Sequence, residues 1–156
     1  MRQAYRGQPD RDPDADDWSN REEFEALRRF EIWWAELPKP AGRRPVMLLS
    51  RSDAYSYLNK FVVAEITTTI RSIPVEVPLG KRDGLSKPCV VNCDNLRALS
   101  GRFLIERISS LPASRRSEVK RAVGYALGWP ELMEIPPWWS GAAMYATAAR
   151  RKDFDV

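Results

Sequence analysis

The chain has 156 residues, 44% hydrophobic and 29% charged, with a net charge of +4, enough apolar material for one ordinary domain. No apolar run approaches the ~20 residues of a membrane span, and the polar, acidic N-terminus lacks a secretory signal, so a cytoplasmic protein with no membrane partner is expected. There is no histidine, which excludes Ser-His-Asp and Cys-His catalysis and leaves proton transfer to carboxylate, Arg, Lys, Thr or Tyr.

The positive charge belongs to the middle of the chain. Residues 1–29 carry 6 basic and 8 acidic side chains, residues 30–130 carry 16 and 9, and residues 131–156 carry 3 and 4. A central excess of this kind favours a polyanionic partner. Residues 1–17 are rich in Asp, Arg and Pro and bury nothing, so a disordered leader is expected. Ser19-Asn20-Arg21-Glu22 has the form of a capping box, opening a short amphipathic helix with Phe24 and Leu27 on one side.

From Phe30 the texture turns to strands. Residues 30–37 read as the first, with Trp33 and Trp34 facing opposite sides. Residues 38–42 are a loop with strong breakers. Residues 46–49 form a continuous apolar run, the pattern of a strand buried on both faces. Residues 61–70 and 75–79 read as strands, residues 80–84 as a turn, and residues 89–92, 96–99 and 104–109 as further strands. Short strands separated by turns indicate a small barrel or strongly curved sheet.

One helix is well marked. Val119, Ala122, Val123, Ala126 and Leu127 follow helical spacing. Gly128 suits the C′ position and Pro130 blocks continuation. Beyond it, Pro136-Pro137-Trp138-Trp139 is rigid and aromatic, a segment expected to pack, and Ser140 caps an Ala-rich helix over residues 141–149. The two cysteines, Cys89 and Cys93, lie about 13 Å apart if they share a strand. A disulfide needs Cα atoms within about 7 Å, so both are expected reduced, and without histidine they form a poor metal site.

Several short segments taken together resemble the MazF/PemK family of toxin endoribonucleases. They are Glu31-Ile32-Trp33-Trp34-Ala35-Glu36-Leu37, Arg44-Pro45 at the head of the second strand, Ala64-Glu65-Ile66-Thr67 at the end of the third, the segment from Val91 to Arg97, and Ala126-Leu127-Gly128. The resemblance implies a mainly β fold with added helices, an SH3-like β-barrel of the MazF/CcdB type closed by a C-terminal helix. It divides the chain into an acidic leader (residues 1–28), a nuclease domain (29–130) and a Pro/Trp/Ala-rich extension (131–156).

The same resemblance implies a homodimeric toxin of a type II toxin–antitoxin system, held in check by an acidic antitoxin of the MazE type. The expected activity is cleavage of single-stranded RNA at short sequences without metal or other cofactor. The RNA's 2′-hydroxyl attacks the adjacent phosphate, leaving a 2′,3′-cyclic phosphate and a 5′-hydroxyl. Arg44 is expected to stabilise the phosphorane with its fork of donors, and Thr67 to hydrogen-bond the same phosphate. Glu65 shares a face with Thr67 by strand alternation, and either assists or pairs with an arginine at the core edge. Asp94 and Asn95 stand where the family reads a base edge, a task that suits an amide, which both donates and accepts. Arg97 is a candidate for phosphate contact or for holding the loop. Arg43 and Arg71 are candidates for tracking the RNA backbone.

The chain departs from the family in its first loop, only residues 38–43, where relatives carry a longer segment that shapes the RNA channel. In composition, residues 14–27 resemble the tail of such an antitoxin and are a candidate for inhibition in cis. Two non-nuclease alternatives share the fold: a CcdB-like gyrase-directed toxin, and an RNA-binding barrel that cuts nothing. The gyrase poisons typically end in Trp-Gly-Ile, whereas this chain ends in Phe154-Asp155-Val156.

Overall fold

The computed structural model describes residues 27–134. The described residues form six strands: β1 (Glu31–Leu37), β2 (Gly42–Leu48), β3 (Lys60–Thr67), β4 (Glu76–Leu79), β5 (Cys89–Ser100) and β6 (Leu104–Ser110). They form one antiparallel sheet in the order β4-β5-β3-β2-β1-β6, curled into a half-barrel. Helix α1 (Arg116–Leu127) follows, then a single turn of helix, α2 (Pro130–Met133). The expected capping-box helix lies outside the described residues except for Leu27, which is buried. The acidic leader, the Trp138-Trp139 segment and the Ala-rich helix lie outside them altogether.

The continuous apolar run of β2 is explained by burial on both faces. Val46, Met47 and Leu48 are all 0% exposed, and successive side chains of a strand point to opposite faces. Met47 joins Ile32, Ala64, Val91 and the helix residues Val119 and Ala122. Val46 and Leu48 join Ala35, Leu37, Phe61, Val63 and Leu99. The sheet therefore separates two apolar clusters, and α1 covers one of them. Both cysteines are free and buried. The Cys93 thiol is pushed up to about 12 by burial and by the charge of Asp94.

Strand boundaries differ from expectation by more than one residue in three places. β2 begins at Gly42 rather than Val46, because Arg43, Arg44 and Pro45 pair with Glu36, Ala35 and Trp34 of β1. β3 stops at Thr67 rather than Ile70; residues 68–74 are an exposed loop. Residues 89–92 and 96–99 belong to one twelve-residue strand, β5. Its register against β3 jumps from Glu65↔Asn92 to Ala64↔Leu96, so Cys93, Asp94 and Asn95 bulge out without a β3 partner. Asn92 accounts for the bulge locally: its side-chain oxygen accepts the Asp94 N–H at 3.0 Å, the bond by which an Asx residue turns its own backbone.

The outer strands β4 and β6 are joined through side chains. Arg115 donates to the Pro78 carbonyl of β4 at 2.7 Å and to the Asp83 carboxylate at 2.5 Å. Ser109 of β6 donates to the Asp83 backbone carbonyl. Gly84 beside it has φ +84° and lies against Ser109, where a Cβ would come within 2.9 Å of the serine Cβ, so only glycine fits. Gly128 ends α1 with φ +68°. Pro130 does stop α1, but it also opens α2 from the N1 position, where its missing N–H costs nothing.

Candidate active site

Arg44 occupies the centre of the site. It sits near the start of β2, and its guanidinium turns back on the preceding turn. Nε and Nη2 donate to the Ala41 carbonyl at 3.1 and 2.7 Å. Nη1 donates to the Glu65 carboxylate at 2.9 Å. A guanidinium has five N–H donors, so one on each Nη is left for another acceptor. The short Pro-rich turn supplies the Ala41 carbonyl: the Ala41 N–H donates back to the Pro38 carbonyl at 3.1 Å, closing the turn over Arg44. Ala41 is a site residue that sequence reasoning missed, because a backbone carbonyl leaves no residue-type signal.

Glu65, on β3, anchors two arginines. Its second oxygen pairs with Arg97 at 2.8 Å. The Glu65 side chain is 8% exposed, whereas Arg44 and Arg97 are 33% and 38% exposed. The carboxylate thus sits below the surface and its two cations lie above it. Of the two roles open to Glu65, the geometry realises pairing with arginine. Through this pair Arg97 ties the β5 bulge to β3.

Two cavities meet at Arg44. The first, about 600 Å³, is walled by the Pro38–Ala41 turn, Glu65, and the bulge side chains Asp94, Asn95 and Arg97. The second, about 470 Å³, lies on the other side of Arg44 and is lined by Thr67, Arg43, Trp34, Lys87, Leu85 and Ile108, among others. Glu65 and Thr67 therefore open into different cavities, although alternation places them on one face, and Arg44 borders both. Thr67 is half-buried at the end of β3, and its hydroxyl oxygen accepts the Thr69 N–H at 3.1 Å.

The remaining candidates separate clearly. Asp94 and Asn95 are exposed on the bulge. Arg43 is exposed, with its guanidinium over the Trp34 ring at 5.2 Å from the centroid. Arg71 lines neither cavity; it lies in the loop after β3, where its backbone N–H donates to Glu76 at 2.9 Å. Trp34 and Lys87 were not named as site residues from sequence. The available signals were the opposed facing of Trp33 and Trp34, and the position of Lys87 just ahead of the Val91–Arg97 segment. Among the described residues no helix is long and apolar enough to cross a membrane.

Residues 28–127 match the family described as PemK-like, MazF-like toxins of type II toxin–antitoxin systems. The chain is 39% identical over 88 residues to Endoribonuclease MazF3 of Mycobacterium tuberculosis, an alignment covering 55% of this chain and 85% of that protein. The structure is similar to that of the Mycobacterium tuberculosis toxin MazF-mt6, with a TM-score of 0.59 and 36% identity, covering 63% of this chain and 96% of that one. It is also similar to an endoribonuclease in complex with its cognate antitoxin from a mycobacterial species, with a TM-score of 0.60 and 27% identity, covering 67% of this chain and 98% of that one.

Proposed function

Because the chain belongs to the PemK-like, MazF-like toxins of type II toxin–antitoxin systems, we propose how its site carries out the endoribonuclease activity of that family. The protein is the toxin of a toxin–antitoxin pair and an endoribonuclease. Its substrate is single-stranded RNA in the cytoplasm, its antagonist an acidic antitoxin of the MazE type, and its working form a homodimer. Residues 29–130 are the nuclease domain, and residues 1–28 and 131–156 extend it.

The reaction is an internal transfer that calls for neither metal nor other cofactor. The 2′-hydroxyl gives up its proton to solvent, its oxygen adds to phosphorus, and the bond from phosphorus to the 5′-oxygen breaks as that oxygen takes up a proton from solvent. The products are a 2′,3′-cyclic phosphate and a 5′-hydroxyl. Negative charge builds on the phosphoryl oxygens between those steps, and donors fixed in advance at that place lower the barrier. The observation that carries the reading is Arg44: it is locked by Ala41 and Glu65, permanently charged, and keeps one N–H on each terminal nitrogen unused. Thr67 borders the cavity on one side of Arg44 and supplies a hydroxyl to the same phosphate. Asp94 and Asn95 read a base edge on the other side. Arg43 tracks the RNA backbone, and so does Arg71 where the strand reaches the loop after β3. Arg97 acts through Glu65.

The test is cleavage of a long, mixed-sequence RNA in EDTA. Wild-type protein should yield discrete fragments with 5′-hydroxyl ends. Arg44→Ala and Thr67→Ala should each lower the rate by roughly 100-fold or more, the cost of removing one transition-state donor. Intact RNA with folded wild-type protein would overturn the reading.

A further inference from the structure

A phosphodiester held at Arg44 has a nucleoside on each side, and two unlike cavities flank Arg44. The first contains two carboxylates and an amide, Glu65, Asp94 and Asn95. No carboxylate lines the second. There Ile66, Leu85 and Ile108 give apolar surface, Thr67 and Ser86 give hydroxyls, and Arg43 and Lys87 give positive charge. Its volume of about 470 Å³ lies within the roughly 300–1,000 Å³ of small-molecule sites. Arg43 stacks over Trp34 at 5.2 Å and is exposed, so its outer face is a ready platform. Bases of single strands stack on aromatic rings and on guanidinium planes alike.

Resting on the endoribonuclease reading, we infer that the Trp34–Arg43–Lys87 cavity is a second nucleotide subsite. It holds the nucleoside across the scissile phosphate from the bulge by stacking, and the next phosphate by Lys87. The two subsites divide the work. The bulge side selects a base by hydrogen bonds, whereas the Trp34 side accepts any base, since every base has a π-face. The cleavage motif is then fixed on one side of the cut and open on the other.

The test starts from the site at which wild-type protein cuts. A 2′-O-methyl oligonucleotide spanning that site cannot be cleaved, and its affinity is measured with a swapped base or an abasic residue on each side of the scissile phosphate. On one side, base swaps should cost tenfold or more. On the other, swaps should cost under threefold, whereas removing the base should cost roughly tenfold or more, the loss of one stacked base. That abasic penalty should vanish in Arg43→Ala and in Trp34→Leu; Arg43 is exposed, so its variant folds whether or not the tryptophan variant does. Lys87→Gln should reduce the slope of log K against log salt by about 0.7, the share of one phosphate on a single strand. Costly swaps on both sides, or an abasic penalty unchanged in the variants, would overturn the subsite and leave the nuclease standing. Wild-type protein that neither binds nor cuts RNA would remove the nuclease reading itself.

Discussion

A carboxylate with a guanidinium on each oxygen is an anchor. Glu65 is in this position, tied to Arg44 at 2.9 Å and Arg97 at 2.8 Å. It fixes where the Arg44 donors point, and small displacements of a catalytic group are costly, on the order of 100-fold for 1 Å. Glu65→Gln keeps the volume but offers one acceptor oxygen, so one arginine must let go. The expected result is a fall in single-turnover rate of roughly 10- to 100-fold, with the shape of the pH–rate profile unchanged. If Glu65 were the base, the acidic limb of that profile would disappear in the glutamine variant. The stability cost should stay near 1–2 kcal/mol, because both arginines are a third or more exposed and water takes over from the lost partner.

At the scale of elements, the seam between β4 and β6 is closed by the Ser109 hydroxyl on the Asp83 carbonyl and by the ion pair of Arg115 with Asp83. The Asp83 side chain is 1% exposed; besides Arg115 it has the Gly80 N–H at 3.0 Å and the exposed Arg82 guanidinium at 3.7 Å. Removing its close, buried cation leaves the carboxylate with only the distant Arg82, and breaking a buried pair typically costs about 3–5 kcal/mol. Arg115→Met should therefore lower stability by roughly 3 kcal/mol in urea denaturation, and adding Asp83→Asn should recover part of it. A loss below about 1 kcal/mol would show that the seam is held by the apolar contacts of α1 instead. This pair was invisible in the sequence, since residues 83 and 115 are brought together only when the sheet curls. The strands themselves were legible, because apolar runs and turn residues mark them locally, as were the stop at Gly128 and the α1 stripe, except that Leu127, expected on it, is exposed. The continuity of β5 was not. Asn92-Cys93-Asp94-Asn95 looks like a break, and only the register against β3 shows that the strand runs on through a bulge. For the site, Arg44 stood out as a fork of donors at a strand mouth. Its locking by Ala41, and the separation of Glu65 from Thr67 into two cavities, depend on the path of the hairpin and not on residue type.

At the scale of the whole molecule, the distribution of acids decides how the surface looks to RNA. Residues 30–130 carry 16 basic and 9 acidic side chains. Four of those acids, Glu31, Glu65, Glu76 and Asp83, are buried, and among the bases only Arg115 is. The surface of the domain is therefore more basic than its net charge suggests. A polyanion of either sugar should be drawn to it, since counterion release depends on phosphates and not on the 2′-hydroxyl. Chemistry should separate the two. A single-stranded DNA copy of the cleaved sequence should compete with the RNA and bind with nearly the same salt slope, yet survive intact, because the attacking oxygen is missing. An RNA carrying one 2′-deoxy residue immediately 5′ to the scissile phosphate should behave the same way at that site and be cut normally at others. Binding titrations between 50 and 200 mM salt, run beside cleavage gels of both substrates, would decide it. Cleavage of the singly deoxy-substituted site would mean that the nucleophile is not the neighbouring hydroxyl, and that Arg44 assists attack by water.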